Sequence, residues 1–145
     1  TFLFELIDSA TANYGLLNSS AVTRPSFDSL KNVMTLLNDG NAAFTPDTLT
    51  LSYNGNSNPP GDIKVLLLQK SSTSPKKYDL LMWRDVVSDD VDVSTVVNLT
   101  WGFTASKVQR FLPLVDTVAK QTLTGSVNAM TVNVYDHLVI VEITR

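Results

Sequence analysis

At 145 residues, with 43% apolar and 17% charged side chains, the chain can bury one real core and falls outside the disordered class. Its net charge of −3, with basic residues scattered so that Lys76-Lys77 is the only doublet, excludes a phosphate-binding nucleic-acid surface. Cysteine is absent, which excludes a disulfide framework and a thiolate metal site, and no apolar run approaches the ~20 residues that span a bilayer.

Residues 1–7 read Thr-Phe-Leu-Phe-Glu-Leu-Ile, a nearly continuous apolar run of the kind that forms strands covered on both faces. Such a strand needs shelter, so Phe2, Leu3, Phe4 and Leu6 are candidate interface residues, joining either a missing partner or a neighbouring copy by strand exchange. Residues 8–20 form a loop of small and polar residues around Tyr14-Gly15-Leu16-Leu17. Pro25 suits the first turn of a helix, and Phe27, Leu30, Val33, Met34 and Leu37 then lay one apolar stripe along about 14 residues. Asp28 favours the positive end of that helix, and Asn38-Asp39-Gly40 supplies a left-handed stop.

Everything after the helix reads as β. Strands are expected at 48–53, 63–70, 78–84, 95–101, 107–112, 117–123, 130–135 and 138–143, with turn signals every 8 to 14 residues as in a sandwich. Ile63, Val65 and Leu67 share one face of their strand, with Leu66 and Leu68 on the other, and 63–70 makes a hairpin with 78–84. The fold expected is mainly β: an antiparallel two-sheet sandwich of about eight strands, with one helix and an extra N-terminal strand. Two segments are distinguished, 1–40 (strand, loop and helix) and 41–145 (sandwich).

Asn18-Ser19-Ser20 and Asn98-Leu99-Thr100 both fit the acceptor tripeptide for N-glycosylation, where chance supplies about one in a chain this rich in Asn, Ser and Thr. Alternation places Asn98 and Thr100 opposite Val97 and Leu99, and Asn18 lies in a loop. With the low charge and the Ser/Thr/Asn-rich polar positions, these sequons point to an extracellular, secreted chain. The opening on Thr1, with no basic stretch ahead of an apolar one, reads as that of a processed piece.

Four stretches carry a family resemblance. Phe2-Leu3-Phe4-Glu5-Leu6-Ile7-Asp8 with Tyr14-Gly15-Leu16 resembles the eighth strand and following loop of a (β/α)8 barrel. Arg24-Pro25-Ser26-Phe27-Asp28-Ser29-Leu30-Lys31-Asn32 is similar to the start of the eighth barrel helix. Leu66-Leu67-Leu68-Gln69-Lys70-Ser71 with Tyr78-Asp79-Leu80-Leu81-Met82-Trp83-Arg84-Asp85 looks like a central sandwich hairpin, and Asp136-His137-Leu138-Val139-Ile140-Val141-Glu142-Ile143 like a closing strand. The order resembles the C-terminal end of secreted glycoside hydrolases that carry a small β-sandwich after the barrel.

What the resemblance implies is a non-catalytic portion. Glycoside hydrolysis needs two carboxylates about 5–10 Å apart. In the barrel family these follow the fourth and seventh strands, upstream of anything in this sequence, and Glu5 matches neither role. No cofactor and no metal is implied. The expected role is support of a barrel or contact with polysaccharide; the alternative is a structural subunit of an extracellular assembly or filament.

Of the residues able to carry chemistry, His137 beside Asp136 lacks a nucleophile motif and reads as a turn. Asp85, Asp89, Asp90 and Asp92 lack the glycine and terminal Glu of a calcium loop and read as solvated. Trp83 reads as core. Trp101, ending a strand before Gly102, and Tyr14 in its loop are the candidate sugar-stacking faces, for a domain partner or a free-standing lectin.

Overall fold

The computed structural model describes residues 6–8, 15–39, 43–71, 75–86 and 93–145. The expected strand at 1–7, with Phe2, Leu3 and Phe4, therefore lies almost wholly outside the described residues. So do Tyr14, Gly40, Asp89, Asp90 and Asp92.

Among the described residues one helix and six strands follow in chain order: α1 (Pro25–Leu37), β1 (Leu51–Tyr53), β2 (Ile63–Ser71), β3 (Lys77–Arg84), β4 (Thr95–Phe111), β5 (Gln121–Val134) and β6 (Val139–Thr144). The protein is mainly β with an antiparallel sheet, and the described residues hold one helix, as the patterning predicts. Pro25 opens α1 at a position where its missing N–H costs nothing, and Asp28 sits in the first turn. At the other end Asn38 is extended, with φ −63° and ψ 116°, so the helix leaves its axis there without a left-handed residue at that position. β2 and β3 form the hairpin the sequence predicts, and its register pairs Ile63 with Arg84 and Leu67 with Leu80.

The strand count differs from expectation for one reason. Segments 95–101 and 107–112 merge into the single 17-residue β4; the expected strand at 117–123 begins only at Gln121 and runs on through 130–134 as the 14-residue β5, with 117–120 outside it. Gly102 reads as a terminator in the sequence, but it lies inside β4, and Gly125 lies inside β5. The pairing of β4 with β5 shifts register between Thr100 and Ala105 and again before Lys107, and Gly125 takes φ +97° close to that irregularity. A bulge of this kind bends a strand without ending it.

The bend creates the two layers. All six strands belong to one hydrogen-bonded sheet, with path β1-β4-β6-β3-β2 and β5 on the other edge of β4. The first half of β4 pairs with β1, Leu51 opposite Trp101. Its second half pairs with β6, Phe111 opposite Ile140. One sheet thus folds over itself, where the sequence suggests two separate ones. Val97, Leu99, Met130 and Val132 from one half meet Leu80, Met82, Val141 and Ile143 from the other in the main core. Fully burying each such aliphatic side chain contributes about 1.5–3 kcal/mol. On the far side of the second half, Leu81, Phe111 and Ile140 form a smaller cluster, covered by Leu36 and Leu37 of α1. That leaves β6 buried at every position, on both faces.

Candidate interaction surface

The segment ahead of α1 is built around one carboxylate. Asp8 donates its N–H to the Leu17 carbonyl at 2.9 Å, Leu17 donates back to Leu6, and Ile7 and Leu17 form a parallel bridge. The Asp8 side chain is only 3% exposed. One of its oxygens accepts the Gly15 N–H at 2.8 Å; the other accepts Arg24 Nε at 3.0 Å and also meets Nη2. The Arg24 hydrogen bond holds the Asp8 carboxyl below its ordinary range, against the opposing effect of burial and with help from the Gly15 amide and the Arg24 charge. Gly15 is obligatory: a Cβ there would lie 2.6 Å from the Asp8 nitrogen and 2.7 Å from the Leu17 oxygen. The Ile7–Leu17 bridge, the Gly15 turn and the entry to α1 are thus fixed together.

The other end of α1 is fastened by charge. Lys70 of β2 donates to the Leu36 carbonyl in the last helical turn, where a cation complements the helix dipole. The same ammonium lies 3.4 Å from Glu142 and 4.0 Å from Asp79, and Lys77 reaches Glu142 at 3.5 Å. Burial pushes the Asp79 carboxyl up to about 6, opposed by Lys70 and Lys77 and reinforced by Glu142. In the middle of the helix, Asn32 donates to the Pro113 carbonyl at 2.9 Å.

Between these fastenings α1 has no buried side chain. The expected stripe exists but faces two ways. Leu37, with Leu36, packs on the sheet, whereas Leu30 is 40% and Met34 67% exposed. A groove of about 690 Å³ runs along the helix, lined chiefly by Phe27, Leu30, Met34 and Leu37. Leu6, Ile7 and Val22 before the helix and Leu114, Val115 and Val118 after β4 are exposed as well. An apolar groove such as that of Phe27, Leu30, Met34 and Leu37 marks a contact surface more often than side chains exposed singly do.

The other candidate residues are dispersed. Trp101 is 5% exposed and its indole N–H donates to the Val127 carbonyl at 3.2 Å. Its expected exposure is corrected accordingly: β1 and β5 flank it on both edges, its ring belongs to the core, and it offers no sugar-stacking face. Trp83 is half-buried. His137 stacks on Tyr135 with ring centroids 4.7 Å apart, and its Nδ1 lies 3.3 Å from Asp136, within the β5–β6 turn. Asp85 is exposed and 3.6 Å from Lys64. Among the described residues, no three His, Asp or Glu side chains gather as a metal site. Asn18 is half-buried, its carboxamide oxygen accepting the N–H groups of Ser20 and Val22 at 2.9 Å each, while Asn98 is exposed on β4.

The two fastenings escaped sequence reading. Asp8 and Arg24 stand 16 residues apart with no periodic signal. Asp79 and Glu142 each interrupt an apolar strand, and that interruption was the available sign of a buried charge. Compared with models of protein families and with curated proteins, the chain matches none.

Proposed function

We propose that this chain is the non-catalytic β-sandwich portion of a secreted glycoside-hydrolase-like protein, and that α1 with the segment before it completes a (β/α)8 barrel. The observation that carries the reading is the state of α1. It is pinned at both ends, by Asp8–Arg24 and by Lys70, yet it presents Leu30 and Met34 to solvent. A helix held rigidly with an uncovered apolar stripe is suited to receive a neighbouring element along its length. The reading is supported by the Ile7–Leu17 parallel bridge just ahead of α1, an arrangement compatible with the end of a βα unit. In this reading no residue of the chain is catalytic, and hydrolysis belongs to carboxylates of the barrel.

The test joins gene and protein. A barrel reading frame in phase with Thr1 is expected, and Met34→Lys in the joined protein is expected to lower barrel stability and activity together. A start codon immediately ahead of Thr1, or a barrel indifferent to Met34→Lys, would overturn the reading. Assembly of copies through residues 1–8 draws on the same exposed Leu6 and Ile7. It predicts polymers by light scattering that disappear when those residues are deleted.

A further inference from the structure

We infer that Asn98 is an N-glycan attachment site and that its glycan covers the outer face of the first half of the sheet. The inference rests on the secretory route contained in the proposed function, but on a different part of the molecule.

Alternation turns Val97, Leu99 and Trp101 into the core and leaves Asn98 and Thr100, the two reactive positions of the acceptor tripeptide, both exposed on one strand face. Asn98 is held from both sides. Its backbone N–H donates to Asn54 Oδ1 at 2.8 Å, and its carbonyl accepts the Asn54 N–H at 2.9 Å. On the other edge, Thr131 Oγ1 donates to Asn98 Oδ1 at 2.8 Å. The carboxamide oxygen is thus engaged by β5 on an exposed side chain. Glycan transfer leaves the oxygen an acceptor, so the Thr131 bond survives modification and orients the first sugar.

The ground beneath that sugar is unusual for this chain. Outward positions along 96–100 of β4 and 129–133 of β5 are Val96, Asn98, Thr100, Ala129, Thr131 and Asn133, all exposed and none charged. Among the described residues, the ion pairs of Asp8, Glu142 and Asp62 involve none of these positions. Hydroxyl and amide groups interspersed with small apolar patches suit an uncharged polyol lying along the sheet, and there is no charge for it to desolvate. α1 packs against the second half of the sheet, through the cluster of Leu81, Phe111 and Ile140. The glycan therefore stands on the opposite side of the sandwich, and both surfaces can be occupied at once.

The step is a glycosyl transfer. The Asn98 amide nitrogen attacks the anomeric carbon of a lipid-diphosphate-linked oligosaccharide. The bond from that carbon to the diphosphate oxygen breaks with its electron pair leaving on the lipid diphosphate, and one amide proton passes to a base of the transferase.

The experiment expresses residues 1–145 behind a signal peptide in cultured eukaryotic cells, recovering both medium and cell lysate. Digestion with peptide N-glycosidase in ¹⁸O-water converts each modified Asn to labelled Asp, which peptide mass spectrometry locates. Label at position 98 is expected, lost in Thr100→Ala, which leaves Asn98 itself in place, and retained in Asn18→Gln. Unlabelled Asn98 in both fractions overturns the proposal, and so does label at position 18 alone. Neither outcome bears on the barrel, whose test reads a different surface.

Discussion

Lys70 reaches across from β2 to the Leu36 carbonyl of α1, and the same ammonium stands between the buried carboxylates of Asp79 and Glu142. One side chain thereby joins the helix to three neighbouring strands. Replacing it with Met leaves two buried carboxylates with Lys77 alone. Breaking a buried pair by removing one partner is strongly destabilising, so Lys70→Met is expected to cost about 3 kcal/mol in urea unfolding. Hydrogen exchange in the last turn of α1 is expected to accelerate beyond that global loss.

Asp79 sets the pH dependence. Its carboxyl titrates near 6 in the folded protein against 3.8 in the unfolded chain. Between those values the folded state binds the extra proton, so stability falls as pH rises through this window. A difference of about 2 pH units corresponds to about 3 kcal/mol at most. Asp8, Asp47, Asp62 and Asp116 act in the opposite sense: hydrogen bonds from Arg24, Lys76, Arg84 and Lys120 lower them, and their contribution is lost as pH falls below 3.8. Stability is therefore expected to peak near pH 4–5. In Asp79→Asn the decline toward pH 7 flattens; an unchanged slope in that variant would falsify the assignment.

Gly15 gives a local prediction. Ala at this position forces a Cβ against the backbone of Asp8 and Leu17, a strain of about 1–3 kcal/mol. The effect is confined to the segment before α1. Limited proteolysis within residues 8–24 is expected to quicken in Gly15→Ala, while slow amide exchange in β3 and β6 stays as it is.

Surface and core substitutions separate cleanly on this fold. Met34→Ser and Leu30→Ser leave the isolated chain within about 0.5 kcal/mol of its original stability, because neither side chain is buried. They reduce binding of a hydrophobic dye, which reads the exposed stripe. Leu80→Ala, at a fully buried position, costs about 2–5 kcal/mol.

The two tryptophans provide an optical check. Trp101 is buried with its indole bonded to Val127, and Trp83 is half-buried. In Trp83→Phe the remaining emission is expected to be blue-shifted and resistant to acrylamide. In Trp101→Phe it is expected to be redder and more readily quenched.

The residues show why some of this was legible. Proline at 25, the apolar stripe and the exclusion of Pro and Gly from 26–37 mark α1 to within a residue. Alternation in β2 and the length of the β2–β3 connection mark the hairpin. The long strands were hidden because Gly102 and Gly125 have the same composition signal whether they end a strand or bend one. Trp101 was misplaced because its burial depends on β1 lying 50 residues earlier, Leu51 opposite Trp101. Exposure of Leu30 and Met34 could not be foreseen, since a stripe records that a face wants cover without saying whether this chain supplies it.

Because β4 changes neighbours halfway along, from β1 to β6, neither layer can be assembled from one end of the chain alone. A polypeptide severed between β3 and β4 would leave one fragment holding β1, β2 and β3 and the other β4, β5 and β6. Each piece owns members of both layers and completes neither. The two halves should stay unstructured apart and regain a native fold only when mixed, a mutual dependence that makes the sandwich one indivisible unit.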